Sequence, residues 1–161
     1  MIFVTVGSQK FQFNRLLEEI DKLVIEGRIT EEIFAQTGYS DYEPKHYKFK
    51  KFLDRNEFAD NMEKCDKVIT HGGTGAIIGA VKKEKKVIGV PRLAKFGEHV
   101  DDHQIEIISQ FEQMNIICSC INLEELGQKY KDIIECEFKK YYSNTKTIVN
   151  SIERFIDGEK K

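Results

Sequence analysis

Lys67-Val68-Ile69-Thr70-His71-Gly72-Gly73-Thr74-Gly75-Ala76-Ile77-Ile78 reads as a short apolar strand, a glycine-rich turn and the opening of a helix. Glycines let the main chain approach a ligand closely, and the free N–H groups of a helix N-terminus carry partial positive charge that favours a phosphate. Such a turn also serves simply to join strand to helix, so on local sequence alone both readings stand.

The following segment repeats the arrangement. Val87-Ile88-Gly89-Val90-Pro91 is a second buried strand, followed by a polar loop reaching Glu98-His99-Val100-Asp101-Asp102-His103-Gln104 and an apolar-periodic stretch from Ile105 to Phe111. Two successive strand-loop-helix units therefore place polar groups at the C-terminal ends of strands, the edge at which open α/β sheets bind ligands.

Outward from there the same alternation continues. Ile2 to Val6 is a continuous apolar and β-branched run ending in Gly7, as expected of a buried parallel strand. Phe13, Leu16, Leu17, Ile20 and Val24 recur at helical spacing, with Ser8 or Asn14 available as a cap. Ile33 to Gln36 is a second strand, Tyr47 to Lys51 a third, and Glu57 to Lys64 a helix. Asp102 is placed to cap the helix of Ile105, Ile108 and Phe111. Ile116-Ile117-Cys118 reads as a sixth strand, and residues 123–137 and 145–155 as closing helices. The fold expected is α/β: a doubly wound, mostly parallel, Rossmann-like sheet.

A length of 161 residues fits one domain, expected over residues 1–157 with a disordered tail at 158–161. A net charge of −2 gives no support to nucleic-acid binding. Apolar runs fall short of the ~18 residues of a membrane span, and no basic-then-apolar leader precedes Ile2, so a cytoplasmic location is expected. Cys65, Cys118, Cys120 and Cys136 lack C-x-x-C spacing and read as buried free thiols. His99 and His103 have the i, i+4 spacing of metal ligands but lie in a loop without further obvious ligands, and no metal is expected.

Four ordered segments carry a family resemblance: Ile2 to Ser8, Gln36-Thr37-Gly38, the His71 turn, and Asp101-Asp102-His103-Gln104. Together they resemble the C-terminal, donor-binding half of GT-B glycosyltransferases of family 28 type, which include the enzyme that makes lipid II. The resemblance is strongest to free-standing catalytic subunits of two-component transferases. These are the dolichol-linked N-acetylglucosamine transferase subunit and the small bacterial subunits of capsule and exopolysaccharide synthesis.

The resemblance implies a UDP-sugar donor, with Gly7, Ser8 and Gly72, Gly73, Thr74 and Gly75 around its diphosphate. It puts Phe52 and Leu53 against the uracil, and Asp101, Asp102, His103 and Gln104 on the sugar hydroxyls. Glu98 and Arg92, on the same loop, are candidates for the same task. His71 is a candidate to donate to the diphosphate or, if charged, to offset its charge, and equally to orient its own loop. No D-x-D motif occurs, so neither a metal nor another cofactor is expected.

The resemblance further implies a membrane-anchored acceptor-binding subunit and a lipid-linked saccharide acceptor at the cytoplasmic membrane face, with a homodimer as the substitute. Galactose, glucuronic acid and N-acetylglucosamine are the donor sugars it suggests. Where many members carry a ribose-holding glutamate, this chain reads Ile78-Gly79-Ala80. That departure keeps open a non-catalytic nucleotide-binding regulatory module. An NAD enzyme would need G-x-G-x-x-G after the first strand, where only Gly7 is present. The lysine clusters at 45–51 and 82–86 read as solvated faces or as contacts to an anionic surface.

Overall fold

Strands Ile2–Thr5 (β1), Ile33–Gln36 (β2), Lys48–Lys50 (β3), Lys67–Thr70 (β4), Lys86–Gly89 (β5) and Cys118–Ser119 (β6) form one sheet in the order β3-β2-β1-β4-β5-β6. Every neighbouring pair is parallel, with Ile2 beside Ile33 on one side and Lys67 on the other. The computed structural model describes residues 1–142 and 152–156. The expected doubly wound α/β sheet is therefore present. Its strand order reverses between β1 and β4, which opens a crevice beyond their C-terminal ends.

Side chains alternate across the strands and build a core on each face. Ile2, Val4 and Val6 pack with Leu16, Leu17 and Ile20 of α1 (Asn14–Ile25) and with Tyr130 and Ile133 of α5 (Leu126–Glu135). Phe3, Val68 and Val87 point the other way. They meet Met62 of α2 (Arg55–Lys64), Ile77 and Val81 of α3 (Thr74–Lys82), and Ile108 and Phe111 of α4 (His103–Gln113). Burial on both faces explains why the strands read as unbroken apolar runs.

Helix ends depart from the expected caps. At α1 neither Ser8 nor Asn14 caps. The Phe13 N–H donates to Ser40 Oγ and the Asn14 N–H to Gln12 Oε1, while Asn14 Oδ1 accepts from Asp41 and Tyr42. Asp102 occupies the N-cap position of α4 without bonding its N–H groups. Its carboxylate accepts the Ala94 N–H at 2.8 Å instead. The α2 helix begins earlier than expected because Asp54 and Glu57 form a reciprocal capping box, worth about 1 kcal/mol.

The sixth strand is also displaced. Asn115 ends α4 in the left-handed region at φ 57°, and Ile116 and Ile117 are buried before the ladder begins at Cys118. The expected helix from Leu123 starts as a 3-10 turn, Leu123–Glu125, before α5. Of the expected helix at 145–155, residues 152–155 are helical and the rest lie outside the described residues, as does the 158–161 tail. Among the described residues no helix is long and apolar enough to cross a membrane. All four cysteines are free, but only Cys65 and Cys120 are buried as expected, Cys118 and Cys136 being half-buried; burial pushes the Cys120 thiol up to about 12.

Candidate active site

The crevice between β1 and β4 is a cleft of about 590 Å³. Gly7 and Ser8 enter it from the loop after β1. His71, Gly73 and Gly75 enter from the turn after β4, and Leu53 from the loop just before α2. A larger cavity of about 740 Å³ opens on the α1 side of the sheet, between α1 and the segment after β6. It contains neither glycine turn, so the anion-binding elements belong to the smaller cleft.

The two turns are built around the His71 ring. Gly7 adopts φ 78°, and a Cβ there would lie 2.8 Å from both His71 Cε1 and Nε2. A Cβ on Gly73 would lie 2.9 Å from Cε1 and closer still to Nε2. The imidazole thus fills the space two side chains would need, and glycine at both positions lets the turns close on it. His71 Nδ1 lies 3.2 Å from Thr70 Oγ1, whose hydroxyl donates to the Thr5 carbonyl at 2.9 Å. Burial pushes the imidazole down to about 4, with the positive charge of Arg92 as the next cause. The ring is therefore neutral at pH 7, not a charged partner for a diphosphate, and its Thr70 contact fits the loop-orienting role.

The Asp101–Gln104 segment is split three ways. Gln104 is buried and faces the glycine turn: its Oε1 accepts the Gly72 N–H at 3.0 Å and the Arg92 N–H at 2.9 Å. Asp102 turns toward Ala94 and lines the larger cavity. Asp101 sits between two histidines, 3.2 Å from His99 Nδ1 and 3.0 Å from His103 Nδ1. A sugar-reading group made of all four side chains is not what the fold assembles. Among the described residues no cluster of three or more His, Cys, Asp or Glu is placed to hold a metal.

Glu98 and Arg92 are also committed inward. Glu98 is 0% exposed, and its carboxylate accepts from Arg15 Nε at 2.8 Å, Arg15 Nη2 at 3.0 Å and the Leu93 N–H at 2.9 Å. Glu98 does not line the cleft. Arg92 is likewise 0% exposed and bonds main-chain carbonyls. Phe52 is exposed and packs edge-on against Tyr39, 5.1 Å between ring centroids, so of the expected uracil pair Leu53 alone lines the cleft. Thr74 opens α3.

Sequence reasoning overlooked Gln36 and Arg55, which also line the cleft. Gln36 Oε1 accepts the Thr5 hydroxyl at 2.9 Å, and both residues line the cleft. Its place at the end of β2, in the Gln36-Thr37-Gly38 segment, was a readable signal. Arg55 follows the Asp54 cap. The lysine clusters are largely paired: Lys50 with Glu57, Lys83 with Glu63, and Lys86 Nζ on the carbonyls of Ile133 and Ile134.

Residues 1–159 match the Glycosyltransferase family 28 C-terminal domain. The chain belongs to this family. It is similar to the UDP-N-acetylglucosamine transferase subunit ALG13 of Candida albicans (strain SC5314 / ATCC MYA-2876), 27% identical over 89 residues. That match covers 55% of this chain and 29% of the relative. Among solved structures it resembles the glycosyltransferase of kitacinnamycin, with TM-score 0.60 and 12% identity over 98% of this chain and 39% of that one. MurG of Acinetobacter baumannii gives TM-score 0.57 and 17% identity, covering 81% of this chain and 40% of that one. These structural likenesses speak to the fold. The matched stretches cover 29%, 39% and 40% of these relatives' own lengths.

Proposed function

We propose that this chain is the donor-binding catalytic subunit of a two-component glycosyltransferase. It takes a UDP-sugar and passes the hexose to a lipid-linked saccharide in capsular or exopolysaccharide synthesis, at the cytoplasmic face of the membrane. The observation that carries the reading is the crevice where Gly7 and Gly73 close on His71 at the strand-order reversal, in a member of the family 28 C-terminal domain. N-acetylglucosamine gains support from the Candida relative, a UDP-N-acetylglucosamine transferase subunit. Galactose and glucuronic acid remain donors to be tested.

In this reading the uracil lies at the Leu53 and Gln36 end and the diphosphate against the turns at Gly7–Ser8 and Gly73–Gly75. The acceptor hydroxyl attacks the anomeric carbon and loses its proton to a base on the acceptor side. The bond from that carbon to the β-phosphate oxygen breaks, and UDP leaves with the electron pair. Main-chain N–H groups and the N-terminus of α3 offset the charge that develops on it.

Tyr39, Phe52, Phe96, Val100 and Ile121 are exposed on loops that follow β2, β3, β5 and β6, all on the edge that holds the crevice. This apolar edge supports a partner that docks there and brings acceptor site and membrane attachment; a homodimer is the substitute. Gly79 favours the second reading, a non-catalytic nucleotide-binding module: position 79 carries no carboxylate for a ribose, and a Cβ there would meet nothing within 4 Å.

Calorimetry with UDP in the presence of chelator tests the donor site, and binding without divalent metal is expected. Transfer from labelled UDP-sugars to a lipid-linked acceptor is then measured with and without a membrane-anchored partner. Little transfer alone and a large gain with the partner are expected. UDP binding with no turnover in any combination would favour the regulatory module.

A further inference from the structure

Arg92 follows β5 and is the largest fully buried side chain among the described residues. Its guanidinium donates to the carbonyls of Phe11 at 3.0 Å, Gln12 at 3.1 Å and Glu98 at 3.2 Å, and also to that of Val6. Val6 and Phe11 bracket the loop that carries Gly7 and Ser8, so one side chain fastens both ends of it. The Arg92 main-chain N–H reaches the other turn: it shares Gln104 Oε1 with the Gly72 N–H. Residue 92 is therefore the point at which both glycine turns are joined.

The charge is as unusual as the connectivity. Among the described residues every hydrogen-bond acceptor of this buried guanidinium is a neutral carbonyl, and its Nε has none. The neighbouring carboxylate, that of Glu98, is taken by Arg15 and the Leu93 N–H. Two guanidinium groups thus accompany one buried carboxylate. Taking a cation out of water is costly, and the nearby Glu98 charge and the Phe13 ring face, 5.1 Å away, do not outweigh that burial.

We propose that Arg92 is a positioning residue of the donor site that joins the two glycine turns and places a fixed positive charge beneath the crevice, favouring an anionic diphosphate. The inference rests on the donor-site reading. Ligand and guanidinium do not touch; the charge acts through the loop and across buried, weakly screened space, where it is worth more than at the surface. The depression of His71, in which Arg92 is the second cause, is the same field felt at a ring that lines the crevice.

Three proteins separate charge from shape: wild type, Arg92→Lys and Arg92→Met. Each is checked for folding by circular dichroism and titrated with UDP and with uridine, which differ in the diphosphate. Arg92→Met is expected to lose on the order of tenfold or more of its preference for UDP over uridine, and Arg92→Lys to keep that preference while binding both more weakly. Equal losses for the two ligands in a folded Arg92→Met would overturn the charge and leave a loop anchor. If that variant does not fold, Arg92→Lys decides, and loss of its UDP preference overturns the proposal.

If wild type binds neither ligand, the donor-site reading falls, and the proposal is judged on the His71 imidazole pKa measured by NMR. A rise in Arg92→Met with none in Arg92→Lys supports the fixed charge, and no rise in either overturns it.

Discussion

The imidazole of His71 lies against the main chain of Gly7, across the line where the strand order reverses: a Cβ on Gly7 would come within 2.8 Å of the ring. One side chain from the turn after β4 thereby sets how closely the loop after β1 can approach. The two candidate phosphate loops are consequently a coupled pair, and substitutions in either should be felt in the other.

Gly73→Val should show this most clearly. Its side chain would displace the His71 ring, and UDP affinity should fall by about tenfold or more in a protein that remains folded. Calorimetry on wild type and Gly73→Val, each checked for folding, tests this. Undiminished UDP binding by Gly73→Val would place the phosphate elsewhere.

Gln104 gives a prediction that reverses the expectation from sequence. Its Oε1 serves two buried N–H groups, so Gln104→Ala orphans both and should cost about 1–3 kcal/mol of stability. Because the group lost holds the Gly72 turn, UDP and UDP-sugar affinities should fall together. A loss confined to the UDP-sugar would restore a direct contact with the sugar.

The neutral His71 makes stability pH-dependent in a definite direction. Its folded pKa of about 4 lies below the ordinary 6.5, so between these values the unfolded chain binds a proton that the native state refuses. The contribution is complete above pH 6.5 and is lost as pH falls toward 4, amounting to about 3 kcal/mol. Denaturant melts of wild type and His71→Asn across that range should diverge by an amount of this order. Parallel curves would show that the ring is hydrated or charged in the native state.

Asp21 should matter for the fold and not for the crevice. It is buried, and its carboxylate accepts from Tyr42 Oη at 2.6 Å and from the N–H groups of Lys45 and His46 at 2.8 and 2.9 Å. Burial raises its pKa, but these bonds outweigh that and hold it below the usual carboxylate value, so its contribution is present above that value and is lost as pH falls through the lowered one. Asp21→Ala should lose about 2–4 kcal/mol in chemical denaturation. UDP affinity at 25 °C should be nearly unchanged, because the loop it pins leads to β3 and not to the glycine turns.

Local chemistry determined a great deal by itself. Parallel strands buried on both faces must be apolar throughout, so Ile2–Thr5, Ile33–Gln36 and Lys67–Thr70 stood out as runs. Glycine and histidine at 71–75 announced the turn, since backbone freedom is a property of residue type. The sixth strand was misplaced because apolarity reports burial, not pairing: Ile116 and Ile117 are buried in the core without joining the ladder.

What only the tertiary structure decided is where the polar side chains point. Glu98, Gln104 and Arg92 look like ligand-binding groups along the chain, yet each is turned inward to satisfy a buried partner: Arg15, the Gly72 N–H and the Val6–Gln12 loop. A carboxylate, amide or guanidinium bonds equally well to a substrate or to a main chain. Which it meets depends on packing between segments far apart in sequence.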